Sequence, residues 1–207
     1  MSLDGKIATS TGESRLSSPE DVRRVHRLRA SVDGIMVGVG TLLADDPKLT
    51  VKFLRGRNPW RIIIDSNART PPDAYVIRTA SLARTIIAVT SKAPDQRVEA
   101  LKNAGATVLT CGTGSRVFLR HLLIRLRRMS IKKVLLEGGG NLNWSMLSQG
   151  LVDEISVAIS PRILGGANAV TLVEGKGYGR IRDAVRLRLL EAKKYGTDLV
   201  VRYKVLR

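Results

Sequence analysis

Sulfur and imidazole are scarce in this chain. It has one cysteine, Cys111, and two histidines, His26 and His121. A single thiol closes no internal disulfide, and without a Cys/His cluster a zinc site of the usual spacing is not expected. Aromatic residues are few: four tyrosines, two tryptophans and two phenylalanines in 207 residues. None is interleaved with a basic run in the way single-stranded RNA platforms require. No apolar run approaches the roughly 18 residues of a membrane span. Asp4, Gly5 and Lys6 interrupt any apolar core that a signal peptide would need. These absences point to a cytoplasmic protein with no metal and no membrane partner.

Acid is short as well. Thirty-five lysines and arginines face 18 aspartates and glutamates, a net charge of +17. Such an excess raises nucleic-acid binding as one reading. The bases, however, run from Arg23 to Arg207 and gather in no tail. Solvated helix faces, and a positive field that steers a multiply anionic small substrate, are the simpler reading.

What is present is an alternation of strand and helix signals. Ser18-Pro19-Glu20-Asp21 reads as a capped helix start, with the helix running to about Ala30 and Val22, Val25 and Leu28 inward. Gly34–Gly38 is a short buried strand that leads into a helical turn at Thr41–Ala44. Leu49-Thr50-Val51 reads as extended, and Arg61–Asp65 as a third buried strand after Ile7–Thr9 and Gly34–Gly38. A strand over Thr85–Thr90, a helix over Asp95–Asn103 and a strand over Thr107–Thr110 follow. A basic helix is expected over Ser115–Met129.

The densest signal runs from Lys132 to Gly166. Val134-Leu135-Leu136 reads as a buried strand ending at Glu137, and Gly138, Gly139, Gly140 and Asn141 lead into a helix that stops near Gly150. A strand, a glycine loop and a helix start aim free N–H groups and the positive helix end at one point, which suits a phosphate. Glycines alone are weak support, because the G-x-G-x-x-G pattern fails at Asn143. After a strand over Glu154–Ser160, two alternating runs, Val185–Lys194 and Leu199–Leu206, meet at Gly196-Thr197-Asp198 as a hairpin. The order predicts a single α/β domain over residues 1–207, with a mixed, mostly parallel sheet flanked by helices and a C-terminal antiparallel hairpin. Ligands of such sheets lie at the strands' carboxyl ends. Gly38–Thr41, Asp65–Arg69, Cys111–Gly112 and Glu137–Gly140 should therefore converge.

The segments SLDGKIAT, LRASVDGIMVGVGTLLADDPKLTV, RIIIDSNAR, LLEGGGNLNWSML and GLVDEISVAISPRILGG resemble, in order, the riboflavin-biosynthesis reductases. These occur free-standing and as the reductase half of the bacterial deaminase-reductase. The resemblance implies a dihydrofolate-reductase-like fold, NADPH as cofactor and a homodimer. It implies reduction of the ribosyl group of 2,5-diamino-6-ribosylamino-4(3H)-pyrimidinone 5′-phosphate to ribityl. Carried over by motif position, Thr41, Asp45, Ser66, Gly138, Gly139, Gly140 and Asn141 would bind NADPH. Arg69 would meet its 2′-phosphate, with an exposed turn arginine as the structural alternative. Ser14, Arg29, Leu49, Lys52 and Glu137 would bind substrate, and no residue is singled out as catalytic.

Two departures stand out. The family has an extended strand before SLDGK, and here Met1 lies inside that motif, so a first strand is expected to be missing. The segment Glu13–Ser17 is also one residue shorter than the bacterial form and resembles the archaeal type. Two further readings stay open: a related reductase of a pterin or other heterocycle, and a basic nucleic-acid-binding module.

Overall fold

Runs of isoleucine and valine are too apolar to face water on either side, and in this chain they build a parallel sheet. The computed structural model describes residues 1–54 and 56–207. By its contacts the chain divides into two units, one of His26–Gly138 and one of Met1–Val25 with Gly139–Arg207.

In the His26–Gly138 unit, β1 (Gly34–Gly38), β2 (Trp60–Ile64), β3 (Thr85–Val89), β4 (Thr107–Thr110) and β5 (Val134–Gly138) form one sheet in the order β4-β3-β2-β1-β5. All four pairings are parallel. The chain steps outward from β1 to β4 and then returns to the far side of β1. The strand order therefore reverses between β1 and β5, and in sheets of this kind a crevice opens at that reversal.

Side chains alternate across the sheet. Ile35, Val37, Ile63, Ile87 and Val89 join one core with Val39 and Leu42 of α2 (Val39–Asp45), Val76 and Ile77 of α3 (Tyr75–Arg78) and Leu101 of α4 (Asp95–Asn103). Met36, Ile62 and Ile86 point the other way and are equally buried. The return to β5 runs through α5 (Leu119–Arg128), which buries Leu119, Leu122 and Leu126. That helix starts later than Ser115, because residues 117 and 118 are held elsewhere. Val117 N–H donates to Ser66 Oγ at 3.1 Å and Phe118 N–H to the Cys111 carbonyl at 2.8 Å.

One cation sits within this sheet. Arg61, on β2, is fully buried and donates from Nη1 to Thr79 Oγ1 at 2.8 Å and from Nη2 to the carbonyls of Thr79 and Ala83. Its Nε–H has no partner. Burial pulls the guanidinium down to about 10.

In the other unit, β6 (Glu154–Ile159), β8 (Asp198–Val205) and β7 (Leu187–Tyr195) form a separate antiparallel sheet in that order. The hairpin expected from the alternating runs is present. Glu154–Ile159 pairs antiparallel with β8, so the chain carries two sheets joined by no strand pairing among the described residues. The first residues run beside β6: Met1 N donates to the Ala158 carbonyl at 2.6 Å, and Ser160 N–H to the Met1 carbonyl at 2.8 Å. The exposed Asp4 carboxylate takes the N–H groups of Leu164 and Gly165 at 3.1 and 2.7 Å, and a hydrogen bond with the Ser2 side chain, then these two, hold it down at about 2. The face of this sheet bounds an apolar cavity of about 300 Å³, lined by Ile155, Val157, Val201 and Tyr203 with Leu147 of α6 (Gly140–Ser148).

The remaining helix, α1 (Pro19–Ala30), starts in one unit and ends in the other. Its start is capped as expected, Ser18 Oγ accepting from Asp21 N–H at 3.3 Å. Its buried face differs from the expected one. Val22 is 39% exposed, whereas Asp21 and His26 are 1% and 7% exposed. Both polar residues have partners to justify burial: Asp21 takes the Arg24 Nε–H at 2.7 Å, and His26 takes a backbone N–H described below.

Candidate functional site

The strand-order reversal places the carboxyl ends of β1 and β5 side by side, and the residues there form a hydrogen-bonded group. β5 carries a register shift: Met36 pairs with Leu136, but Val37 pairs with Gly138. Glu137 is the extra residue of that bulge. A bulge re-aims the side chain it carries, and Gly138 accommodates the kink at φ +104°.

The Glu137 carboxylate meets Arg29 on the last turn of α1 in a two-point pair. Nε donates to Oε1 and Nη2 to Oε2, both at 2.7 Å. The two side chains are 17% and 18% exposed. Arg29 Nη1 also donates to the Thr50 carbonyl at 3.2 Å. One guanidinium thus joins a helix end, a strand end and the loop 49–53. Paired this way, Arg29 turns most of its donors inward, and the exposed Lys52 is the cation with its charge toward solvent.

That loop is not the extended piece the sequence suggests. Leu49 and Phe53 adopt φ +47° and +66°, which non-glycine residues rarely accept. Leu49 is 2% exposed and belongs to the core, so it anchors the loop, whereas Lys52 is exposed. Val51 N–H donates to Asn58 Oδ1 at 2.9 Å and Lys52 N–H to His26 Nδ1 at 3.1 Å. The His26 ring meets the Phe53 ring edge-on, centroids 5.3 Å apart. Burial, then the nearby Arg29 and Lys52 charges, push the His26 imidazole below its ordinary value, against smaller opposing effects of Glu137 and Thr50.

A second anchored turn follows β2. Asp65 is fully buried, and its Oδ2 accepts from both the N–H and the hydroxyl of Thr70 at 2.7 Å. The carboxylate therefore closes the turn 65–70, in which Ala68 sits at φ +51°. Ser66 and Arg69 both lie on it. The Arg69 side chain is half exposed, its Nε 4.0 Å from Asp65 Oδ1. Thr41, half-buried, and Asp45, exposed, lie on α2 directly beyond β1. Asp46 ends that helix at φ +36° and accepts the Tyr75 N–H at 2.9 Å.

In the other unit the glycine loop enters α6. Gly139 is the N-cap, with no side-chain cap hydrogen bond. Gly140 answers a packing need: a Cβ there would lie 2.7 Å from the Thr171 carbonyl oxygen and from Glu174 Cγ. Glu174 N–H donates to the Gly140 carbonyl at 3.2 Å, and Asn141 Nδ2 donates to Glu174 Oε2 at 2.9 Å. The close approach made at Gly140 is by the protein's own segment 171–174. Ser14 in this unit is exposed, and its carbonyl accepts from Leu16 N–H at 2.9 Å.

The His26–Gly138 unit therefore links Arg29, Glu137 and the loop that carries Lys52 by hydrogen bonds, with Leu49 anchoring that loop in the core, and places Thr41, Ser66, Arg69 and Gly138 just beyond parallel strands and Asp45 at the far end of α2. Ser14, Gly139, Gly140 and Asn141 belong to the other unit. Sequence reasoning passed over His26 and placed Asp65 only as a polar strand end, with no role of its own. The only signals were a histidine one helical turn before Arg29 and an acid at a strand end. Among the described residues no group of three or more His, Cys, Asp or Glu side chains is placed to hold a metal ion.

The chain resembles known proteins along nearly its whole length. The chain is 50% identical over 208 residues to the 2,5-diamino-6-ribosylamino-4(3H)-pyrimidinone 5′-phosphate reductase of Methanothermobacter thermautotrophicus, covering 99% of this chain and 94% of that one. It is 40% identical to the protein of the same name from Aquifex aeolicus, covering 100% and 93%. Among solved structures, Acinetobacter baumannii RibD superposes with a TM-score of 0.83 at 24% identity, over 99% of this chain and 55% of that one. The Saccharomyces cerevisiae riboflavin biosynthesis reductase Rib7 superposes at 0.76 and 25% identity, over 100% and 86%. The fold is thus the dihydrofolate-reductase-like α/β fold of the RibD reductase domains. With residues 1–201 matching the family described as the RibD C-terminal domain, the chain belongs to that family of riboflavin-biosynthesis reductases.

Proposed function

We propose that this protein reduces the ribosyl group of 2,5-diamino-6-ribosylamino-4(3H)-pyrimidinone 5′-phosphate to ribityl, with NADPH as reductant. The observation that carries the reading is the Arg29–Glu137–loop 49–53 group at the strand-order reversal. It is a rigid, charged floor with an exposed lysine, supported by the names of relatives up to 50% identical. The reaction needs the ribosylamine opened to an imine, a hydride delivered to its carbon and a proton delivered to its nitrogen. The nicotinamide cofactor, when bound, supplies the hydride.

The chain's own residues fit such a cofactor. Ser66 and Arg69 offer a hydroxyl and a guanidinium on a turn fixed by Asp65, a donor set suited to a ribose phosphate. The first turn of α6 has no side-chain cap to compete for its N–H groups. Thr41, Asp45, Gly138, Gly139, Gly140 and Asn141 complete the proposed cofactor contacts. On the substrate side, Lys52 holds the phosphate, Leu49 walls the loop, Ser14 contributes its hydroxyl, and Glu137, oriented by Arg29, accepts hydrogen bonds from ring amino groups or sugar hydroxyls. The two units act together as one reductase domain in the cytoplasm. Among the described residues no helix is long and apolar enough to cross a membrane.

The working form is a homodimer. β7 is a sheet edge with exposed Leu187, Leu189 and Leu190, and exposed apolar edge strands are rarely left without a partner.

The test is turnover. Purified protein, NADPH and the diamino-ribosylamino-pyrimidinone phosphate should lose the reduced-nicotinamide absorbance in stoichiometric step with ribityl product. Parallel reactions with NADH and with the deaminated pyrimidine rank cofactor and substrate. Cofactor binding without turnover of either pyrimidine would move the reading to another heterocycle.

A further inference from the structure

His26 is placed where a positioning residue belongs, although it faces no open cleft. It lies three residues before Arg29 on α1, and the two side chains reach the same loop from one helix face. Arg29 Nη1 donates to the Thr50 carbonyl, and His26 Nδ1 accepts the Lys52 N–H. The two bonds have opposite polarity and grip the loop on either side of Val51. Flanking them on either side lie the positive φ angles of Leu49 and Phe53, which the loop would relax if released. The Phe53 ring closes on the imidazole edge-on at 84°.

We propose that neutral His26 is a positioning residue for the substrate's phosphate: by accepting the Lys52 N–H it fixes the loop conformation that presents the Lys52 ammonium. The proposal rests on the reductase reading given above for the role of Lys52. The grip itself does not depend on it.

Only one ring form can do this. Accepting at Nδ1 requires the tautomer with its proton on Nε2, and an imidazolium has no acceptor left. The charged groups facing the ring are Arg29 on its own helix, Lys52 on the loop and Glu137 on β5. Burial and the two cations favour the neutral form, so the bond is intact at neutral pH. The same surroundings lower the ring's pKa, so the bond is lost only in acid below the ordinary imidazole value.

The decisive variants are His26→Asn, whose Oδ1 takes the place of Nδ1, and His26→Gln, whose oxygen reaches the Nε2 position instead. KM for the ribosylamino-pyrimidine phosphate and KM for NADPH are measured separately from pH 5 to 8. Amide exchange at Lys52 is followed in the same proteins without ligand. His26→Gln should raise the phosphate-substrate KM about three- to tenfold, the worth of one hydrogen bond, with the cofactor KM unchanged. His26→Asn should restore it. The substrate's own phosphate titrates near pH 6 in every protein, so the readout is the difference between profiles. Wild-type KM should climb in acid while that of His26→Asn stays flatter. Lys52 N–H should be protected in the wild type and in His26→Asn and unprotected in His26→Gln.

Equal KM values in wild type and His26→Gln would overturn the proposal. So would a parallel rise in both KM values, or acid profiles that coincide. If the wild type turns over no ribosylamino phosphate, the reductase reading falls and Lys52 exchange decides the grip alone. Protection lost in His26→Gln then supports it, and protection unchanged overturns it.

Discussion

The two sheets of this protein treat apolar residues in opposite ways. In the parallel sheet every residue of β3 is buried, and its isoleucines and valines meet helices of the same unit. In the antiparallel sheet eight of the nine β7 residues are exposed, leucines among them. A parallel sheet is covered by the helices that connect its strands, so its central strands are buried within one chain. A hairpin brings no cover of its own. The parallel unit accordingly closes its own core, whereas β7 leaves an apolar edge exposed.

Mutations at matched positions break or sharpen that contrast. Ile87→Ala in β3 should cost about 2–5 kcal/mol in urea unfolding, the range for deleting a buried isoleucine side chain. Leu189→Ala in β7 should stay within about 0.5 kcal/mol if the strand is exposed in solution. A Leu189→Ala loss of comparable size that grows with protein concentration would instead reveal the homodimer, with β7 buried in it.

Next in size is the ion pair under the site. Glu137→Gln should destabilise by about 2–3 kcal/mol, because Arg29 keeps its desolvation cost without its counter-charge. It should also raise the KM of the ribosylamino substrate. Arg29→Lys should recover stability only in part, since an ammonium cannot make the two parallel bonds.

Smaller effects separate the glycines. Gly140→Ala should cost about 1–3 kcal/mol through the clash with Thr171 and Glu174. Gly40→Ala, with nothing within 4 Å of the added methyl and a helical backbone, should gain about 0.5–1 kcal/mol. Thermal melts of both variants read this directly.

The smallest effect is one that acid removes. The Asp4 pKa is depressed to about 2 from 3.8 by the bonds it accepts, so its contribution is full above pH 4 and vanishes as pH falls through 2. The melting temperature of Asp4→Asn should therefore lie below that of the wild type at pH 5 and meet it near pH 2.

Much of the fold was legible where local and global preferences agree. The bounds of α4 and β4 follow directly from periodicity and from the Gly105 stop at φ +93°. Errors arose where a distant partner decides. Nothing local in residues 115–118 says that Ser66 and Cys111 will hold their N–H groups out of a helix. Nothing in α1 says that Asp21 and His26, rather than Val22, will face inward. The separation of Glu154–Ile159 from the parallel strands likewise depends on pairing with residues near the C-terminus. The resemblance named Arg29 and Glu137 one by one. Their mutual pairing, and the bulge that turns Glu137 toward Arg29, needed coordinates.

Arg61 gives the parallel sheet an internal reporter. Dicarbonyl reagents such as phenylglyoxal condense with guanidinium groups that water can reach, and the arginines of the basic surface should be consumed quickly. Arg61 is sealed behind the carbonyls of Thr79 and Ala83 and should react only when the β2 region opens. Peptide mapping of its slow adduct would time that opening in the native protein, with the fast surface arginines in the same sample as the clock's zero.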